Sequence, residues 1–289
     1  MLQRYAKLRI TNYELRITNY ELRWQIADSG YLRHFGFPVI YSTFDASRLN
    51  VYKIENHIRE FMPLIFERQL PCIRLGVWHI LEDEAELRSA ASADQSDEKT
   101  VRTFKNESRR KQWYACRALL KQLICLERVK VDYDIHGKPS LKGFTGQVSF
   151  SHTREYAAVI VNEQGATGID IEKISPRIHK VASRFLQDEE LDHLSSNHRP
   201  QPPTPNPQPL IPNPYNTELL YLYWSAKEAL YKYYGKPTID LKNDIHIRAF
   251  DYFCSSQATF SASVNAENSV RDHELRFERV GDHMLVYTL

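Results

Sequence analysis

The sequence lacks the features that mark exported, membrane-spanning or zinc-stabilised proteins. Its 289 residues contain no apolar run of the about eighteen residues that a membrane-spanning helix needs, and the N-terminus lacks the apolar core of a signal peptide. We therefore expect a cytoplasmic protein that does not interact with membranes. Cysteine is also scarce, and none of its positions shows C-x-x-C spacing: Cys72, Cys116, Cys125 and Cys254. This pattern favours reduced, mostly buried thiols, with no disulfide and no zinc.

Positively and negatively charged residues are nearly equal in number. The net charge is +2, which is too small to indicate nucleic-acid binding by itself. The basic residues of the N-terminal segment are interleaved with Glu14 and Glu21. We therefore predict no nucleic-acid partner. Hydrophobic residues make up 42% of the chain, which suffices for a globular core.

The N-terminal segment carries an exact repeat. Residues 8–14 recur without change as residues 15–21. Repeat architectures need about three copies and usually diverge, so the pattern is more typical of a recent duplication or an over-extended reading frame. A short coiled coil is the alternative, although it needs about three heptads. We expect Met62 to be the natural start and residues 1–61 to be a dispensable extension.

A short acidic stretch at Gly168–Glu172 reads Gly-Ile-Asp-Ile-Glu. As a strand it would place Ile169 and Ile171 on one face, and Asp170 and Glu172 on the other. Adjacent carboxylates repel unless a cation lies between them, and Mg²⁺ is commonly bound by one or two carboxylates together with phosphate oxygens. A solvated acidic face is the alternative, because this spacing is common.

A further acid lies on a helix that the apolar spacing predicts over residues 218–234. Glu228 lies opposite the apolar stripe of that helix, with Lys232 one turn further along the same face. Taken alone, such a pair is typical of an exposed ion pair between helix positions i and i+4. The residues of the apolar stripe are Leu219, Leu222, Tyr223, Ala226 and Leu230.

Together these stretches resemble the signature of the 4'-phosphopantetheinyl transferases, in which a G-(I/V)-D-x-E strand precedes a (W/F)-(S/T/C)-x-K-E-(A/S)-x-x-K helix. The second part of the signature is Trp224–Lys232. Two more blocks of the family are found in the expected order, His136–Leu141 and Val148–Thr153. The resemblance extends from about Met62 to the C-terminus.

The resemblance implies an α+β fold of the 4'-phosphopantetheinyl transferase type. This fold is a pseudo-dimer of two similar α/β halves, here about residues 62–165 and 166–289, with the site between them. The two-half layout is similar to the monomeric, surfactin-synthetase-activating type of the family.

Residues 198–215 are rich in proline, and we expect a disordered insertion there, because proline has no amide donor and disfavours helix before it.

The implied activity is a Mg²⁺-dependent transfer, of the holo-[acyl-carrier-protein] synthase kind. It moves 4'-phosphopantetheine from coenzyme A to a serine of an acyl or peptidyl carrier protein and releases adenosine 3',5'-bisphosphate. A catalytically inactive module that binds coenzyme A or a carrier protein is the alternative. The three acids at Asp170, Glu172 and Glu228 count against that alternative, because a binding module has no need of all three.

The resemblance also implies roles for single residues. Asp170, Glu172 and Glu228 would hold the Mg²⁺. Glu228 or a water molecule would be the general base, with Lys227 assisting from the side of the same helix face. The residues expected to bind coenzyme A are Arg109, Arg117, Lys138, Ser151, His152 and Lys232. In the strand that contains Ser151, Val148 and Phe150 are predicted to point inward and Ser149 and Ser151 outward.

Local patterns predict further elements. They indicate a first strand over residues 72–80, an arginine-rich helix over 108–120, and a helix over 177–194 that is interrupted by a charged stretch at 187–190. Closing strands are predicted at 245–247, 258–263, 275–278 and 284–288.

Overall fold

The structure, a computed structural model, describes residues 63–126, 130–196, 216–250, 252, 256–267 and 269–289, together with four short strands nearer the N-terminus. The chain divides into two units, Met1–Phe61 and Met62–Leu289. The predicted proline-rich insertion at 198–215 lies outside the described residues. None of the helices in the described ranges is both long and apolar enough to cross a bilayer.

The N-terminal unit contains two small hairpins. Strand β1 (Ala6–Ile10) pairs antiparallel with β2 (Tyr13–Ile17), and β3 (Trp24–Ile26) pairs with β4 (Leu32–His34). The first of these strand pairs thus spans the boundary between the two copies of the repeat. The coiled-coil alternative is therefore wrong.

The first half of the second unit is a six-stranded antiparallel sheet with three helices, and its strand order is β5-β6-β10-β9-β8-β7. The strand predicted over 72–80 and the predicted arginine-rich helix both form, but that strand is not the first, because β5 precedes it. The elements are β5 (Leu64–Gln69), β6 (Ile73–His79), α1 (Glu84–Ala91), α2 (Gln95–Val101), α3 (Glu107–Ile124), β7 (Val131–Tyr133), β8 (Pro139–Leu141), β9 (Gln147–His152) and β10 (Tyr156–Asn162).

The second half is a five-stranded antiparallel sheet with the order β11-β15-β14-β13-β12. All of the predicted closing strands form. The elements are β11 (Ile169–Lys173), a 3₁₀ turn (Pro176–Lys180), α4 (Ala182–Phe185), α5 (Asp188–Ser196), α6 (Thr217–Tyr234), β12 (Ile245–Ile247), β13 (Gln257–Ala266), β14 (Ser269–Val280) and β15 (His283–Thr288).

The helix predicted over 177–194 is broken into three pieces. Leu186 adopts an extended conformation at the end of α4. The next amide, that of Gln187, donates to the carboxylate of Glu190 at 2.9 Å, which caps the start of α5. The interruption predicted at 187–190 therefore coincides with the capped start of α5.

The two halves share one topology. In each, one strand (β6 or β11) leads into helices and then into an antiparallel meander, whose last strand (β10 or β15) returns beside it. The first half has the additional edge strand β5. The expectation of an α+β fold with two similar halves is confirmed.

The two sheets pack face to face through one apolar layer, and each carries a helix on its other face. Alternation along the strands explains this arrangement. Val159 of β10 packs towards α3, and Val286 of β15 packs towards α6. The layer between the sheets includes Leu75, Val77, Ala158, Ile160, Ile169, Ile171, Leu285 and Tyr287. The edge strand β11 therefore lies at the junction of the halves.

The predicted orientation of β9 is wrong in one respect. Ser149 and Ser151 point into the junction and are buried, instead of facing solvent. Their hydroxyl oxygens accept hydrogen bonds from the amides of Ile169 at 3.3 Å and Ile171 at 3.2 Å. These amides lie on the free edge of β11, and a buried amide without a partner is costly.

The cysteines also differ partly from expectation. Cys116 is buried in α3 and Cys72 is half-buried, whereas Cys125 is exposed at the end of α3. The αL conformation of Cys125, with φ of 54°, ends the helix there and turns its side chain outward.

We predict that Gly168→Ala destabilises the protein. A Cβ atom at this position would lie 1.9 Å from the carbonyl oxygen of Ala229 on α6, so the strand and the helix could not keep their close approach. The expected loss in the free energy of unfolding is about 1–3 kcal/mol, as for other overpacked sites. Urea denaturation of the variant and the parent measures it.

Gly165→Ala is the matched control. Its Cβ would meet nothing closer than the Asn162 side chain at 3.9 Å. Equal effects of the two substitutions would contradict the proposed close contact.

Candidate functional site

A cleft of about 260 Å³ opens between the two halves. Its walls come from α3, the turn between β7 and β8, β9, and the C-terminal end of α6. Five cationic or titratable residues that the sequence predicted for cofactor binding line it together: Arg109, Arg117, Lys138, His152 and Lys232. The sixth, Ser151, lies behind this wall and contacts Asp170.

Arg109 and His152 contact each other on one wall of the cleft, through a guanidinium nitrogen and the ring Nε2. Burial, together with the positive charges of Arg109 and Lys232, lowers the pKa of His152 to about 4. The imidazole is therefore neutral near pH 7, and the positive charge of this wall comes from the arginine and the lysine.

Arg117 is held between aromatic rings. Its guanidinium lies 4.3 Å from the ring centre of Trp113 and 5.0 Å from that of Phe150, and it donates to the Tyr133 hydroxyl at 2.8 Å. Such stacking fixes the plane of a guanidinium and leaves donors for an anion. Sequence reasoning missed these rings. Trp113 could have been found, because it lies one helical turn before Arg117, whereas Tyr133 and Phe150 meet the arginine only in the tertiary structure.

Lys138 links the two halves. The carboxylate of Asp134 accepts the amides of His136 and Lys138, each at 2.8 Å, and this shapes the turn. The Lys138 ammonium then donates to the carbonyl oxygen of Tyr233 at 2.6 Å, at the end of α6. Gly235, with φ of +63°, leaves room for the lysine stem, because a Cβ there would lie 2.4 Å from it.

The predicted acids meet beside this cleft, on β11 and α6. Asp170 is buried, and its Oδ1 accepts hydrogen bonds from Lys232 Nζ at 2.7 Å and from the Ser151 hydroxyl at 2.8 Å. Its Oδ2 is buried without a hydrogen-bond partner. Glu172 accepts the indole N–H of Trp224 at 3.3 Å.

The acids influence one another's protonation. Burial, together with the negative charges of Asp170 and Glu228, raises the pKa of Glu172 to about 7. Burial and Asp170 likewise raise the pKa of Glu228. The cluster thus holds more negative charge than Lys232 alone compensates.

This donor set fits a hard divalent cation. It offers only carboxylate oxygens, one of them buried and unpartnered, which are the ligands that Mg²⁺ prefers. The oxygens of the three acids do not all lie within 4.8 Å of one another. In the described part of the chain, the group that does is Glu155, Asp282 and His283. Lys173 already contacts both acids of that group, at 2.5 and 3.2 Å, and we assign no metal there.

Lys227 does not reach this cluster. Its ammonium is fully buried in the second half, where it contacts Glu190 Oε2 at 2.8 Å and donates to the carbonyl oxygens of Leu241 at 3.0 Å and Ile245 at 2.6 Å. One residue turns a helix by about 100°, so Lys227 faces the core while Glu228 lies near Asp170 and Lys232. The structure therefore gives Lys227 a structural place instead of the assisting position expected from the sequence.

Comparison with known proteins adds a family match. Residues 166–275 match the family model of the 4'-phosphopantetheinyl transferase superfamily. This segment contains Asp170, Glu172, Glu228 and Lys232.

Two curated relatives were found. The chain is 30% identical over 124 residues to a protein of Synechocystis sp. provisionally named a 4'-phosphopantetheinyl transferase, a match that covers 41% of this chain and 45% of that protein. It is 27% identical over 174 residues to the 4'-phosphopantetheinyl transferase HetI of Nostoc sp., which covers 55% of this chain and 68% of that protein. The chain thus spans less than half of the Synechocystis protein.

We predict that Lys227→Met destabilises the fold by about 3–5 kcal/mol, because it leaves the fully buried Glu190 without its cation. Thermal and urea unfolding measure the loss. The double variant Lys227→Met with Glu190→Gln should recover most of it, since both charges are then gone. A double variant as unstable as the single one would contradict this role.

We predict that the stability of Glu172→Gln depends on pH differently from the stability of the parent protein. With the pKa raised from 4.5 to about 7, the folded metal-free protein keeps a proton that the unfolded chain loses, so stability falls as pH rises through this window. The variant lacks this ionisation. Its melting temperature relative to the parent should therefore rise between about pH 5 and pH 7.5.

His152 is present in both proteins, so its contribution drops out of the difference between their melting temperatures. Its lowered pKa alone would make stability rise with pH, which is opposite to the effect of Glu172. Added Mg²⁺ should raise the melting temperature of the parent near neutral pH more than that of the variant. A difference between parent and variant that does not change with pH would refute the raised pKa.

Proposed function

We propose that this chain, whose residues 166–275 match the 4'-phosphopantetheinyl transferase superfamily, transfers 4'-phosphopantetheine from coenzyme A to a serine of an acyl or peptidyl carrier protein. The observation that supports this most is one cleft between two similar halves, with cations on its walls and three acids beside it. Such a site suits a diphosphate together with a divalent cation.

The cofactor would lie along the cationic walls. Arg109, Arg117 and Lys138 come from the first half, and Lys232 comes from the second. Their N–H groups are charge-assisted donors for phosphate oxygens, and the stacked guanidinium of Arg117 is already oriented. The neutral His152 would add a hydrogen bond without adding charge.

Asp170, Glu172 and Glu228 would hold Mg²⁺. The ion would neutralise charge on the diphosphate and lower the barrier to attack on it. The raised pKa values of Glu172 and Glu228 support this assignment, because they mark negative charge that a cation would stabilise. Lys232, which contacts Asp170 and lines the cleft, would join the acids to the phosphates.

In the transfer, the carrier serine Oγ forms a bond to the β-phosphorus of coenzyme A. The bond from that phosphorus to the bridging oxygen breaks, and adenosine 3',5'-bisphosphate leaves with the electron pair. The serine proton passes to Glu228, directly or through a water molecule. Burial and the charge of Asp170 raise the pKa of Glu228 in the metal-free protein, whereas Mg²⁺ bound at the same carboxylate would lower it. Positioning and charge stabilisation supply the remaining catalysis.

The catalytic unit would be residues 62–289, acting as a monomer in the cytoplasm, with residues 1–61 dispensable for the reaction. Each half supplies one wall of the cleft, so a single chain completes the site. An inactive binding module is the second candidate. The pairing of Asp170 with Lys232 and the mutual electrostatic influence of the three acids support the enzyme.

We predict that Glu228→Gln lowers the transfer rate by about 100-fold or more, because it removes both a base and a metal ligand. Intact mass of an apo-carrier protein after incubation with coenzyme A and Mg²⁺ measures the gain of one phosphopantetheine group. A chelator should abolish the gain in the parent.

Glu218→Gln is the matched control on the same helix. Its carboxylate binds Tyr252 and Arg279, which do not line the cleft. Loss of transfer in this control, or full transfer by Glu228→Gln, would contradict the assignment. Coenzyme A binding with no mass gain on acyl and peptidyl carriers would favour the inactive module.

A further inference from the structure

The Ser151 hydroxyl bridges the two halves. It belongs to β9 of the first half, and both of its hydrogen-bond partners belong to β11 of the second. Its oxygen lies 3.2 Å from the amide nitrogen of Ile171 and 2.8 Å from Oδ1 of Asp170. The residue is 7% exposed.

The direction of both hydrogen bonds follows from chemistry. An amide N–H only donates, so the hydroxyl oxygen accepts from Ile171. A hydroxyl has one proton, and that proton is then directed at the Asp170 carboxylate. Ser151 therefore has no second proton for a phosphate oxygen. The phosphate contact implied by the family resemblance would require breaking the bond to Asp170.

We propose that Ser151 is a positioning residue for Asp170, through which the first half orients a metal-binding carboxylate of the second. This role adds detail to the proposed function. Only its kinetic test depends on that function, because Mn²⁺ binding can be measured without transfer.

Two further observations support this role. Lys232 donates to the same oxygen of Asp170, at 2.7 Å, so Oδ1 is held from two sides. The other oxygen, Oδ2, is buried without a hydrogen-bond partner. The carboxylate is thus fixed with one oxygen saturated and the other left for a cation. Without the Ser151 proton, only a lysine side chain would set its rotation.

The chain contains a matched control two residues earlier. Ser149 is on the same strand, is also buried, and accepts the amide of Ile169 at 3.3 Å. Among the described residues, Asp170 receives side-chain hydrogen bonds from Ser151 and Lys232 and not from Ser149. Ser149→Ala therefore removes an equivalent cap of a β11 amide and leaves the aspartate contacts in place. Because Ser149 lines the cleft, it is the control for stability and Mn²⁺ affinity and not for the KM of coenzyme A.

The test compares Ser151→Ala with Ser149→Ala in the full chain. Both should lower the melting temperature by a similar amount, because each leaves one buried amide unpaired. Only Ser151→Ala should weaken Mn²⁺ binding, measured by calorimetry without coenzyme A or carrier, by about tenfold or more. In transfer assays, the same variant should lower kcat by about tenfold with the KM for coenzyme A changed less than about threefold. Ser151→Thr, which keeps the hydroxyl, should restore most of the Mn²⁺ affinity.

Each other outcome is decisive. A large rise in the KM for coenzyme A, with Mn²⁺ affinity unchanged, would show that Ser151 is a phosphate contact and overturn the proposal. Equal Mn²⁺ affinities for the two alanine variants would also overturn it. If the parent transfers nothing but binds Mn²⁺, and Ser151→Ala weakens that binding, the proposed function fails while the positioning role stands.

Discussion

The structure depends on where the edge strand β11 is placed. Four consecutive residues of this strand make three kinds of contact. Ile169 and Ile171 fill the apolar layer between the sheets, and the carboxylates of Asp170 and Glu172 point towards α6. The amides on the free edge are satisfied by hydroxyls of β9. An edge strand buried at a junction is stable only if all three requirements are met together.

Helix α6 depends on the same constraint. The missing side chain of Gly168 lets β11 approach the helix backbone. At that short separation, Lys232 reaches Asp170 and Trp224 reaches Glu172. On the opposite side, the buried pair of Lys227 and Glu190 ties the helix to the core of the second half. The helix is therefore fixed both in rotation about its axis and in distance from the strand.

The electrostatics of the cleft follow from this placement. Acids from β11 and α6 are crowded in a partly buried space, and burial together with mutual repulsion raises the pKa of Glu172 and of Glu228. On the neighbouring walls, the charges of Arg109 and Lys232 act with burial to keep His152 neutral. Negative charge that needs a cation thus lies beside positive charge that needs an anion. A magnesium-bound diphosphate would satisfy both.

The sequence by itself determined several of the elements, although not β5, and it indicated residues that the structure brings together around the cleft. The alternation in Gly168–Glu172 and the apolar stripe of α6 predicted a strand and a helix that form, because period and burial are local properties. The order of four short blocks indicated which cations and acids would meet. The broken helix after β11 was predicted only in part, since the capping contact of Glu190 with Gln187 depends on a side-chain rotamer.

Only the tertiary structure decided the roles of residues whose partners are distant in the chain. Ser151 was expected to face a phosphate and instead meets Asp170, because the second sheet lies against that face of β9. Lys227 was expected at the site and is enclosed by Glu190 and two carbonyl groups from later segments. Periodicity fixes which face of an element a side chain is on. What covers that face is decided by the packing of elements that no local pattern encodes.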